Sequence, residues 1–142
     1  MKALRIVFTL FLIVTFLACS KDDVDPDGNL QGRWNVEKVE GEQFTNGNPG
    51  IKLEDNNPTG YIAFESNGEG EQNYTFTLFG TAYPNINNFR YSATQTEIII
   101  ERFGQADLVW NRELNSANRQ IASYDILVNA NSFIRYTLTL EK

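Results

Sequence analysis

From Leu30 to Leu140 the apolar residues of this chain come in short runs with a period of two, and nowhere in the three-and-four spacing of an amphipathic helix. In Tyr74, Thr75, Phe76, Thr77, Leu78 the large apolar members share one parity, and Ile134, Tyr136, Leu138 and Leu140 do so again over seven residues. Ile98 and Ile100 oppose Glu97 and Glu101, with Ile99 as the exception. Successive side chains of a strand point to opposite faces, so each run has a dry face and a wet one. The chain is therefore expected to be all-β. Strands are predicted near Arg33–Glu40, Gly60–Glu65, Gln72–Phe79, Phe89–Thr94, Glu97–Phe103, Leu108–Glu113, Gln120–Val128 and Phe133–Leu140, eight in all.

The segments between them carry turn chemistry. Asn and Gly tolerate positive φ and Pro fixes it negative, so residues 46–50 and 55–60 read as chain reversals. They bracket Ile51, Lys52, Leu53, Glu54 and predict a long excursion between the first two strands. Ser66, Asn67, Gly68 and Asn129, Ala130, Asn131 predict tight hairpins. An antiparallel meander of eight strands must stack as two sheets or close on itself, because open edges invite pairing with other chains.

Histidine is absent and cysteine occurs once, as Cys19. That removes Ser/His and Cys/His nucleophile pairs, the usual zinc sites and any disulfide within the chain. Glu97 and Glu101 share a strand face, but four residues of strand separate them by about 13 Å. Paired glycosidase carboxyls lie within roughly 9.5 Å, so these two are read as a solvated face. Asp23 to Gly28 spells the first half of a calcium loop, yet the twelfth position, where a bidentate Glu belongs, is Trp34. No metal, no cofactor and no enzymatic activity is expected.

The N-terminus gives an address. Lys2 and Arg5 precede a largely apolar run from Ile6 to Ala18, the order of a secretory signal. The run spans 13 residues, short of the roughly 20 that cross a bilayer. The ending Leu17, Ala18, Cys19 resembles the lipobox of bacterial lipoproteins, with Phe16 departing from the usual leucine. That resemblance implies cleavage before Cys19 and acylation of its thiol. Ser20, Lys21, Asp22, Asp23 resemble a signal that sends such lipoproteins to the outer face of the outer membrane. The expected organisation is a signal peptide over 1–18, a lipidated flexible tether over 19–29 and one domain over 30–142. Removing the first 18 of 142 residues leaves 124, enough to bury about two thirds of the unfolded surface. The remaining chain has 10 basic and 18 acidic side chains, which argues against nucleic acid as a partner.

Gly32 two places before Trp34, at the start of the first strand, resembles the Gly, any residue, Trp motif that opens lipocalins. The resemblance implies an eight-stranded antiparallel up-and-down barrel over about residues 30–141, its narrow end closed by the indole. It also implies an arginine across that indole, for which Arg135 is the candidate. The Thr, Asp, Tyr motif and C-terminal helix of typical lipocalins are unmatched, so a reduced, lipocalin-like domain is implied. A β-sandwich with Trp34 in its core is the alternative. An eight-stranded barrel is just wide enough to be filled by side chains or to hold one small ligand. Aromatics make up 13% of the chain, and Tyr74, Phe76, Phe89, Tyr91, Trp110, Tyr124 and Tyr136 are the candidates to line the inside. They suit a pocket for a small hydrophobic molecule and a solid core equally. Two functions stay open: a lipid-anchored envelope module that holds such a molecule, or a structural protein with a filled core whose loops, chiefly Glu42 to Gly60, bind a glycan or protein.

Overall fold

The computed structural model describes residues 29–102 and 104–142. The expected signal peptide, Cys19 and the expected tether through residue 28 lie outside these residues, as does Phe103. The described chain forms nine strands: β1 (Gly32–Thr45), β2 (Asn48–Asp55), β3 (Thr59–Phe64), β4 (Glu69–Leu78), β5 (Thr81–Ala93), β6 (Glu97–Glu101), β7 (Leu108–Asn115), β8 (Arg119–Asn129) and β9 (Ser132–Glu141). Every pairing is antiparallel. From β3 to β9 each strand pairs with the next, and β9 returns to β1 along Asn35–Thr45. Eight strands thus close into a barrel, and the alternative of two stacked sheets is not realised.

The ninth strand, β2, stands outside this ring. The other edge of β1 is shared: β3 takes Gly32–Asn35 and β2 takes Val39–Thr45. The predicted excursion between the first two strands is therefore a hairpin. Asn46 and Gly47 both have positive φ (52° and 76°), the conformation a two-residue hairpin turn requires. Leu53 packs against the core, while Lys52 on the opposite face pairs with Glu40 at 3.2 Å. Asp55 then accepts the N–H of Asn57 (2.9 Å) and of Thr77 (2.7 Å), tying the β2–β3 corner to β4.

A second correction concerns β5, which begins at Thr81, eight residues before the predicted start. Phe79 and Gly80 make another turn with two positive φ values (54° and 73°). Phenylalanine gives no turn signal, and residues 84–88 have poor strand propensity; ten continuous register pairs with β4 hold them extended.

Alternation sends Trp34 and Val36 inward from β1, and a register shift between Val36 and Lys38 moves the inward parity to Val39 and Gly41. Ile62, Phe64, Tyr74, Phe76, Leu78, Ile98, Ile100, Leu138 and Leu140 complete most of the core. The connections at 65–68, 94–96 and 116–118 lie at the Trp34 end of the barrel. Those at 46–47, 79–80, 102–107 and 130–131 lie at the opposite, open end.

Gly60 is fixed by the close approach of β3 to β4. Its φ is 108°, and an added Cβ would overlap the Asn73 carbonyl oxygen and meet the Tyr74 Cα at 2.7 Å. Gly60→Ala is expected to cost about 3 kcal/mol, from overpacking and backbone strain together. Urea unfolding measures it; an unchanged midpoint would contradict this packing.

Candidate binding site

The closed end is built first. Trp34 is fully buried and donates its indole N–H to the Leu30 carbonyl at 2.6 Å. The Lys142 ammonium stands 4.4 Å from the indole centroid. The end of the Lys142 side chain lies against Gly32, whose φ is 112°. This corrects the expectation for Arg135: the cation over Trp34 is Lys142. Arg135 lies far along β9, opposite Glu42, where its parity turns it outward. There it makes two hydrogen bonds to Asp125 (2.8 and 2.9 Å) and its guanidinium lies over Phe44 and Phe133. At the same end of the barrel, buried Arg112 donates to the Thr94 carbonyl (2.7 Å) and to Gln120 Oε1 (2.8 Å). Gln120 donates onward to Asn115 Oδ1 and the Ser116 carbonyl, so one polar network ties two of the closing turns together.

Above this floor the predicted aromatics separate into two groups. Phe89 and Tyr91 join Phe64 in edge-to-face contacts, with centroids 5.7 and 5.1 Å from Phe64. The Tyr91 hydroxyl donates to the Glu65 carbonyl at 2.7 Å and anchors the β3–β4 turn. This group is packing at the closed half.

The other five form a continuous column. Trp110 stacks on Tyr124 (5.2 Å), Tyr124 meets Tyr136 (5.5 Å), Tyr136 meets Phe76 (5.7 Å), and Phe76 lies over Tyr74 (6.1 Å). Tyr83 extends it to the open end, 5.2 Å from Phe76. Sequence reasoning missed Tyr83, because it sits in the unrecognised half of β5. Alternation from Phe89 and Tyr91 would have found it had β5 been extended backwards.

The column is apolar in its rings and polar at its tips. The Tyr74 and Tyr124 hydroxyls hydrogen-bond to each other. Burial pushes the Tyr74 phenol up to about 12 and the Tyr124 phenol well above its ordinary value; Tyr136 is also raised, chiefly by burial. All three remain protonated at neutral pH and can donate. Trp110 is 2% exposed, and its indole N–H has no acceptor among the described residues. No Asp or Glu is among the buried residues described. Around the column the interior thus offers flat apolar walls and neutral donors, which suits a small molecule with an apolar body and a hydrogen-bond acceptor.

Two clefts flank the 102–107 connection. One of about 860 Å³ borders β4, β5 and the end of β6. The other, about 540 Å³, opens between β7 and β8, whose pairing starts only at Asn111 and Ser123. It reaches Leu108 and Ile126, both packed against the core. Among the described residues no group of three His, Cys, Asp or Glu is placed to hold a metal ion.

The buried phenols set an alkaline limit. Below pH 10 Tyr74 is protonated both folded and unfolded; between 10 and about 12 only the unfolded chain loses the proton, so stability falls as pH rises. The loss through Tyr74 alone is expected to be of order 2–3 kcal/mol. Urea midpoints from pH 8 upward measure it, and Tyr74→Phe should flatten the decline; a decline unchanged in that variant would contradict the assignment.

No family model and no curated protein matches the sequence. Among solved structures the chain is similar to a deswapped triple mutant of bovine odorant binding protein, with TM-score 0.45 and 10% identity over 81% of this chain and 74% of that one. It is also similar to a dog lipocalin allergen, with TM-score 0.46 and 14% identity over 80% of this chain and 73% of that one.

Proposed function

We propose that this chain is an outer-membrane lipoprotein, displayed at the cell surface, whose lipocalin-like barrel binds a small hydrophobic molecule and performs no catalysis. Acylated Cys19 is its anchor. The observation that carries the binding role is the Trp110 indole N–H, buried without an acceptor among the described residues while its ring stacks on Tyr124. A buried donor left unpaired costs about 1–3 kcal/mol, a cost that a ligand's acceptor atom would remove. The aromatic column supplies the apolar surface for the rest of the molecule.

A fluorescent fatty acid, cis-parinaric acid, tests this reading on the full chain. Binding is expected with a dissociation constant of roughly micromolar order. Trp110→Phe should weaken it about fivefold, the worth of one hydrogen bond near 1 kcal/mol. Ile51→Ser, outside the ring on β2, should leave it unchanged. Absence of binding, or equal binding by Trp110→Phe, would sink the proposal. The second reading, a side-chain-filled barrel that works through its outer hairpins, is favoured by the unbroken ring contacts from Trp110 to Tyr83. Absence of binding is the result it expects.

The anchor has its own test. Protein extracted from cells should have the mass of a chain beginning at Cys19 plus three acyl groups, and Cys19→Ser should abolish both cleavage and membrane association. An unmodified Cys19 thiol would refute the anchor and leave the barrel reading standing.

A further inference from the structure

The hairpin of β6 and β7 is short, and among the described residues it leaves β5 uncovered along most of one edge. β5 pairs with β4 from Thr81 to Arg90, but with β6 only from Arg90 to Ala93. The direction of its backbone groups follows from two hydrogen bonds. The Tyr91 N–H goes to the Gly68 carbonyl on the β4 side, and the Thr94 N–H goes to the Glu97 carbonyl on the β6 side. In an antiparallel strand alternate residues turn both backbone groups to the same neighbour. Odd-numbered residues of β5 therefore bond to β4, and Ala82, Ile86 and Asn88 direct their N–H groups to the uncovered edge.

Pro84 falls on that same parity, where it has no N–H to offer, as expected of proline in an edge strand. It is the edge's one guard. No charged residue occurs between Thr81 and Phe89, and Ile86 is 69% exposed on the outer face.

The 860 Å³ cleft meets this edge at Asn88 and extends from there over the outer faces of β4 and β5 to the end of β6. Five carboxylates line it, Glu65, Glu69, Glu71, Glu101 and Asp107, against two guanidiniums, Arg90 and Arg102. The excess is three negative charges. It disfavours a second copy of this acidic chain on the edge and favours a cationic occupant.

We infer that the uncovered edge of β5 takes up an extended, basic polypeptide segment by strand addition, its main chain pairing with Ile86 and Asn88 and its Lys or Arg side chains lying in the acidic cleft. Backbone pairing supplies affinity without regard to sequence, and the cleft selects charge. This site is on the outer wall, and the side chains of Ile86 and Asn88 face away from the barrel interior.

The probe is an octapeptide of alternating Lys and Thr, added to the full chain, with amide exchange and fluorescence anisotropy as readouts. Exchange of the Ile86 and Asn88 amides should slow by about tenfold or more at saturation. A peptide N-methylated at alternate residues keeps its charge but cannot pair as a strand, and should bind about tenfold more weakly. The Glu–Thr counterpart should not bind. Combined Glu69→Gln, Glu71→Gln and Glu101→Gln should weaken the Lys–Thr peptide by a similar factor and reduce its salt dependence. Equal binding of the N-methylated peptide would mean charge attraction without strand addition and would overturn the inference. So would unchanged exchange at Ile86 and Asn88, equal binding of the acidic peptide, or protection of those amides by self-association alone.

Discussion

The structure depends on the pairing of β1 with β9. It joins the first strand of the described chain to the last, so it is the most non-local contact in the fold and the one that turns a meander into a ring. Cys19 is the chain's single cysteine, so no disulfide can substitute for it. Closure makes β1 serve three neighbours. β9 occupies one edge over its full useful length, and the other is divided between β3 at the Trp34 end and β2 at the open end. The shift between Val36 and Lys38 is what lets a strand of 14 residues follow the curve while Trp34, Val36, Val39 and Gly41 all stay inside.

A closed ring of eight strands fixes the room within. Aliphatic residues fill the Trp34 end, where Ile62, Ile98, Leu138 and Leu140 are fully buried. Above them the chain uses rings, whose tips must find partners in a dry interior. Trp34 and Tyr91 each find a carbonyl, and Tyr74 and Tyr124 find each other. Trp110 does not. The difference between a filled core and a receptive one rests on that single group more than on the number of aromatics, because stacked rings serve both roles equally well.

Period-two alternation in Tyr74–Leu78 and Ile134–Leu140 was enough to place strands, faces and the hairpins at 66–68 and 129–131. It left a closed ring and two stacked sheets both open, and the ring was expected only from the resemblance carried by Gly32 and Trp34. It failed where local chemistry contradicts what the neighbour imposes. Residues 48–55 begin with Asn, Pro and Gly and read as loop, but pairing with β1 extends them. Phe79 stands in a positive-φ turn position that favours Asn or Gly, which hid the start of β5. The interior placement of Tyr74, Phe76, Trp110, Tyr124 and Tyr136 could be read from parity, but their assembly into one column could not, since it requires the register between strands. The cation over Trp34 was misassigned for the same reason: Lys142 comes close only through the end of the β9 path, beyond any sequence spacing from Trp34.

β5 brings these threads to one place. Its residues alternate between two environments: Phe89, Tyr91 and Tyr83 turn to the rings inside, while Arg90, Asn88 and Ile86 turn to the cleft or to solvent. Because side chains on opposite faces of a strand do not touch, the interior and the outer edge can be altered separately by substitution. They share only the backbone. A segment that paired with Ile86 and Asn88 would hold that backbone in place from the side that β6 leaves open, and would thereby restrain Tyr83 at the mouth of the barrel. Among the described residues the stretch from Thr81 to Phe89 is held by β4 alone, so the short β6–β7 hairpin, a defect in the wall when judged by closure alone, is what leaves this backbone free to pair on its other side.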